Sequence, residues 1–172
     1  MEYIVLTIAL SLGAPMALAE NLVSTGKWVY FADTVMGGVS DGRASFVEED
    51  AALRLVGTVS TANNGGFIQV RTKVSSKDAM GKTGVVIEAK GNGETYNIHL
   101  RNRSTRLPWH YYAATFEASE AWSRIEIPFT EFKKSSSLLR GSINTETIKS
   151  LGVVAYGKDY QADVQVRYIS FY

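Results

Sequence analysis

Gly91-Asn92-Gly93-Glu94-Thr95-Tyr96-Asn97-Ile98-His99-Leu100-Arg101 is a turn followed by a strand that sorts its own side chains. From Thr95 to Arg101 the residues alternate with period two. Tyr96, Ile98 and Leu100 point one way; Asn97, His99 and Arg101 point the other. Just before the Gly-Asn-Gly turn lies the apolar run Val85–Lys90, so the two runs form a hairpin. Outward from this pair, similar short runs recur: Trp28–Phe31, Ala44–Val47, Leu53–Val59, Phe67–Thr72, Tyr111–Phe116, Arg124–Ile127, Leu151–Tyr156 and Val164–Phe171. Gly, Asn, Asp or Ser clusters separate most of them. Only Asn144–Ser150 reads as a helical turn, with Asn144 as its cap. The expected fold is all-β, a single β-sandwich or jelly roll over residues 20–172.

The same alternation assigns faces elsewhere. Phe67–Thr72 sets Gln69 and Arg71 opposite Ile68 and Val70. In the last strand, Val164, Val166, Tyr168 and Ser170 oppose Gln165, Arg167, Ile169 and Phe171. With neighbouring strands aligned, Gln69, Arg71, Asn97, His99 and Arg101 share one polar sheet surface. Two readings of that surface stand. It is a concave face whose forked Arg donors and amides hold a sugar, a carboxylate or a peptide, or it is the wet side of an antiparallel sheet.

Composition removes many alternatives. The chain has 172 residues, 18 Lys+Arg, 17 Asp+Glu, two His and no Cys. That length suits one domain burying roughly 70% of its unfolded surface. A net charge of +1 gives no support to nucleic acid as a partner. Without Cys there is no disulfide, Zn ribbon, Fe–S cluster or thiol nucleophile. His99 and His110 lack metal-ligand spacing, and no G-x-S-x-G elbow occurs. Gly91-Asn92-Gly93 starts a G-x-G, but Tyr96 stands where the third Gly belongs. Glu48-Glu49-Asp50 reads as a charged turn. Asp33 with loop carbonyls offers a conceivable Ca²⁺ site. The expectation is no enzyme, no metal and no cofactor.

Residues 1–19 read as a leader. Tyr3–Leu12 is mostly apolar, Gly13 and Pro15 break it, and Ala17-Leu18-Ala19 has the small residues of a cleavage site. Glu2, with no Lys or Arg beside it, departs from the usual pattern. Cleavage before Glu20 makes the chain periplasmic or secreted. The alternative is an uncleaved N-terminal anchor helix, the only route to a membrane.

Two loops carry candidate function. Arg101–His110 packs three Arg, Trp109 and His110 into ten residues. Such a loop is a binding hot spot or a solvated hairpin whose Trp folds back on the sandwich edge. Trp122 and Ile127-Pro128-Phe129-x-x-Phe132 read as core closure. In Asp33-Thr34-Val35-Met36-Gly37-Gly38-Val39-Ser40, the paired glycines call for positive φ or close backbone approach. A second such element is Asn63-Asn64-Gly65-Gly66-Phe67. Asp33 and Ser40 either hydrogen-bond loop amides, braced by the Asn-Asn-Gly-Gly turn, or line a pocket.

DTVMGGVS (Asp33–Ser40), NNGGF (Asn63–Phe67), GNGETYNIHLR (Gly91–Arg101) and the Trp122–Phe132 block follow one another in order. This arrangement resembles the family of the complex I intermediate-associated protein of thirty kilodaltons, from about Trp28 to Tyr172. The resemblance implies a galactose-binding-type jelly roll, similar to carbohydrate-binding modules. It also implies non-catalytic assembly chaperones that hold an intermediate of respiratory complex I. On matching positions Asp33, Gly37, Gly38, Ser40, Asn63, Asn64, Gly65, Gly66, Arg71, Tyr96, Arg101 and Trp122 are the signature residues. The export-like leader departs from the mitochondrial pattern, because an exported domain does not meet intermediates on the matrix or cytoplasmic side.

The expected function is therefore a protein-binding module of the respiratory-complex assembly type, or else a glycan-binding module of the cell envelope. The candidate ligand- or partner-binding residues are Asp33, Asn63, Asn64, Arg71, Asn97, His99, Arg101, Trp109 and Tyr111.

Overall fold

The computed structural model describes residues 19–172. The apolar leader lies outside the described residues. Eleven strands follow in chain order: Val29–Ala32 (β1), Asp41–Val47 (β2), Ala52–Val59 (β3), Phe67–Lys73 (β4), Gly84–Gly91 (β5), Thr95–Asn102 (β6), Tyr112–Glu117 (β7), Ser123–Pro128 (β8), Lys133–Lys134 (β9), Ile148–Tyr156 (β10) and Tyr160–Phe171 (β11). They form two antiparallel sheets, ordered β1-β4-β10-β6-β7-β9 and β2-β3-β11-β5-β8. The ten expected strands are all present within a few residues. The added one, β9, is two lysines too short to show a period.

One core fills the sandwich. Ile68, Val70, Ile98, Leu100, Leu151 and Val153 come from the first sheet; Leu53, Leu55, Ile87, Val164 and Ile169 come from the second. The hairpin expected at Asn92 does not form: β5 pairs with β11 and β8 in the second sheet and β6 with β10 and β7 in the first, so the Gly-Asn-Gly turn carries the chain from one sheet to the other. Asn92 Oδ1 accepts from the buried Tyr96 hydroxyl at 2.6 Å, and that hydroxyl in turn accepts from the Asp163 amide at 2.8 Å.

Three further expectations need correction. First, strict alternation fails in β11. Between Val166 and Tyr168 the pairing with β5 slips by one residue, a bulge that sends Tyr168 outward and turns Ile169 and Phe171 into the core beside Val164 and Val166. Second, Trp122 does not close the core. It lies half-buried on the outer surface, with the Arg167 guanidinium 4.5 Å and the Lys90 ammonium 4.8 Å from its ring. Phe129 and Phe132 do close the core, Phe129 against Phe171 at 6.2 Å. Third, the turn capped by Asn144 is only Thr145–Thr147, with Asn144 Oδ1 accepting from the Glu146 amide. Ile148 is already in β10, because its side chain is buried.

Two one-turn helices were not anticipated. Leu22–Thr25 (α1) is capped by Asn21, which also ties to Arg167 and Ile169 of β11. Ser76–Ala79 (α2) carries a Ser75/Asp78 capping box. Among the described residues, no helix is long and apolar enough to cross a membrane.

Candidate functional site

The outward face of the first sheet is sunk along its centre. β10 lies between β4 and β6, and its residue Gly152 pairs with Arg71 on one side and His99 on the other. β10 therefore raises no side chain between those two. Gln69 and Arg71 from β4, His99 and Arg101 from β6, Tyr156 from β10 and Phe31 from β1 line a cleft of about 520 Å³. Three loops complete its sides: Val35 and Met36 after β1; Asn64 and Gly65 before β4, joined by Phe67 at the start of that strand; and Pro108, Trp109 and Tyr111 between β6 and β7.

Asp33 holds the first two loops together. Its carboxylate is fully buried and accepts from four donors. Oδ1 takes the Ser40 amide at 2.9 Å. Oδ2 takes the Ser40 hydroxyl at 2.5 Å, the Gly66 amide at 2.5 Å and the Phe67 amide at 3.2 Å. Gly37 has φ of 89°, while a Cβ on Gly38 or Gly65 would run into the Asp33 carboxylate. The paired glycines thus serve both expected needs, positive φ and close approach. Because every contact to Asp33 is a donor, the Ca²⁺ reading fails; a cation would need those oxygens free. Burial pushes this carboxyl up, and the four hydrogen bonds outweigh it, holding it below the usual carboxylate range.

The third loop is pinned over the sheet. Arg101 Nη2 donates to the Thr105 carbonyl at 2.9 Å and the Leu107 carbonyl at 2.7 Å. Thr105 Oγ1 bridges the Asn102 backbone. Farther along the chain, Ser135 Oγ donates to the Trp109 carbonyl and accepts from the Tyr111 amide. Tyr111 is thereby stacked on His99, ring centroids 4.0 Å apart and 11° from parallel, with Tyr156 edge-on to the same imidazole at 6.1 Å. Trp109 stays 59% exposed on the rim. It has not folded back on the sandwich edge.

Electrostatically the cleft is cationic and apolar. Arg71 lies 4.6 Å over the Phe31 ring. Burial lowers Arg71, and burial together with the charge of Arg71 lowers Arg101, yet guanidinium groups keep their charge at neutral pH. Burial, then the neighbouring Tyr156 hydroxyl, pushes the Tyr111 phenol up. Burial drops His99 to about 3, so its imidazole is neutral in the folded chain. The unfolded chain takes up this proton near pH 6.5, so the stability contributed by neutral His99 is complete above pH 6.5 and is lost as pH falls toward 3. The melting temperature is expected to fall between about pH 6.5 and 5, above the range of ordinary carboxylates, and His99→Gln should flatten that slope. An unchanged slope in the variant would contradict the assignment.

Of the expected site residues, Asn64, Arg71, His99, Arg101, Trp109 and Tyr111 meet in this cleft. Three do not line it. Asp33 is buried behind it as a brace. Asn63 belongs to the same turn, in left-handed backbone with φ of 56°. Asn97 lies in the next row of β6, opposite Val154 and Thr115. Arg101 has a double part, because one of its nitrogens anchors the loop. The apolar contributions of Phe31, Val35, Met36, Phe67 and Tyr156 were missed; the exposure of Val35, Met36 and Tyr156 has no local signature. The cleft lining contains no carboxylate, so the acid pair of a glycosidase has no place in it.

Solved structures share the architecture. The family 11 carbohydrate-binding module from Clostridium thermocellum, in complex with a β-1,3-1,4-mixed-linked tetrasaccharide, superposes with a TM-score of 0.69 at 15% identity, covering 84% of this chain and 87% of that one. The family 11 module of the cellulosomal cellulase Lic26A-Cel5E of the same organism gives 0.69 at 14% identity, over 84% and 86%. The family 30 module of its cellulosomal cellulase Cel9D-Cel44B gives 0.51 at 12% identity, over 70% and 73%. At such identities the likeness concerns the fold, a galactose-binding-like jelly roll. No curated protein matches in sequence. The family model described as complex I intermediate-associated protein 30 matches residues 18–165.

Proposed function

The chain belongs to the complex I intermediate-associated protein 30 family, and from that premise we propose that it is a non-catalytic binding domain whose sunken sheet face holds a saccharide chain. The observation that carries this reading is the pairing of aromatic surfaces with forked donors in one cleft. Exposed Trp109, the stacked Tyr111 and edge-on Tyr156 offer faces to sugar rings, while Arg71, Gln69 and Asn64 offer hydrogen bonds to hydroxyls. A cleft of about 520 Å³ is of the size that takes small ligands. Neighbours in fold that bind glycans support it as analogy, no further.

A second reading follows the family's name. Val35, 70% exposed, and Met36, 59% exposed, rim the cleft beside Trp109 and suit an apolar segment of a protein partner. One experiment separates the two. The full chain is titrated with soluble β-glucan and galacturonan oligosaccharides, followed by tryptophan fluorescence. The saccharide reading expects a saturable change with at least one of them. If none binds, and a photo-crosslinker replacing Val35 instead joins the chain to respiratory-complex subunits, the protein reading replaces it.

A further inference from the structure

Arg71 and Arg101 reach beyond the aromatic cleft. Both also line a second cavity, of about 630 Å³, on the same sheet face. Lys27, Lys73 and Lys149 complete a group of five cations there, and no carboxylate is among the lining residues. The register explains the crowding. Ser150 of β10 pairs with Lys73 on one side and Arg101 on the other, and the pairing with β6 slips between Ile148 and Ser150, where Lys149 sits.

None of these five charges has an ion-pair partner among the described residues, whose four ion pairs are Arg54–Asp163, Lys90–Asp50, Lys158–Glu94 and Arg167–Glu88. Arg101 Nε is buried without a hydrogen-bond partner. The charge of Arg101, like that of Arg71, disfavours the ammonium of Lys149, after burial. Five uncompensated cations around one concavity concentrate positive potential in it, although the chain as a whole carries only +1. Such clustering is destabilising to the free protein and favourable only toward an anion.

We propose that this second cavity is an anion subsite, and that the saccharide held in the adjoining cleft carries carboxylate groups on its rings, as uronic acids do. The claim rests on the saccharide reading above. Continuity decides for a ring-borne anion over a free one: the same two guanidinium groups face both cavities, so a chain stacked on the aromatics runs on into the cations. A planar carboxylate also matches the guanidinium fork.

The test compares the full chain binding tetragalacturonate with its binding of the methyl ester, which has the same rings without charge, by calorimetry at low and high salt. The acid should bind about 10-fold or more tightly than the ester, about 1.4 kcal/mol, with the preference shrinking at high salt. A Lys73→Ala/Lys149→Ala variant changes two exposed lysines and should melt like the wild type while its acid-to-ester ratio collapses toward one. Equal binding of acid and ester, or a preference that survives the double substitution, overturns the subsite and leaves the saccharide cleft standing. Binding of neither overturns the subsite, and overturns the saccharide cleft as well only if the soluble β-glucan oligosaccharides also fail to bind. Competition by inorganic phosphate as strong as by the acid overturns the ring-borne assignment.

Discussion

Replacing Asp33 by alanine is expected to destabilise the chain by about 3–5 kcal/mol, the largest stability effect of any single change near the cleft. The carboxylate is sealed from solvent and accepts from the Ser40 amide and hydroxyl and from the Gly66 and Phe67 amides. Truncation strands the three backbone amides and leaves the Ser40 hydroxyl only the Ser60 carbonyl, at 3.2 Å. For a chain of this size the melting temperature should drop by about 10 °C. Asp33→Asn keeps the volume but turns an amide donor toward backbone donors, so it should cost nearly as much. Acid should act in the same direction. Held below its ordinary value, the Asp33 carboxylate stabilises the fold above about pH 4, and that contribution is lost as pH falls through its folded value. Urea unfolding of the three proteins checks this. A loss below about 1 kcal/mol in the alanine variant, the size of one ordinary hydrogen bond, would mean that the loops do not depend on this brace.

Trp109→Ala should give the largest loss of binding with the least disturbance of the fold. The ring is mostly exposed, and its loop is held by backbone contacts to Ser135 and Arg101 that survive truncation. Removing an aromatic platform should weaken a saccharide about 10- to 100-fold, about 1.4–2.8 kcal/mol. The three tryptophans are Trp28, Trp109 and Trp122, and only Trp109 lines the cleft, so the ligand-induced fluorescence change should vanish as well. Wild-type affinity in a variant that has lost the fluorescence change would make Trp109 a bystander.

The strand pattern was legible because the sheets bury one face, and burial enforces period two in the side chains. It worked where pairing is regular, as in β6, and failed in β11, where one bulge exchanges the faces of Ile169 and Phe171. A bulge belongs to a strand pair, and a single strand does not announce it. The bracing of Asp33 by the Asn-Asn-Gly-Gly turn could be read from chemistry, since one short acid beside two Gly pairs has few other uses. The polar face was also legible, but its depth was not. His99 reads as an outward, wet residue, yet it is 8% exposed, because a loop pinned by the distant Ser135 lays Tyr111 across it. Trp122 shows the opposite error: aromatic composition suggested core, while two cations from β5 and β11 keep it at the surface.

The central claim is that ligand occupies the sunken face of the first sheet. Amide chemical-shift mapping of the full chain, titrated with the oligosaccharide that binds tightest in the fluorescence panel, tests it most directly. The account predicts perturbations concentrated at Gln69, Arg71, His99, Arg101, Gly152 and the Trp109 loop, with the second sheet silent. Perturbations centred instead on the outer face of the second sheet, around Arg54, Asp163 and Trp122, would contradict it.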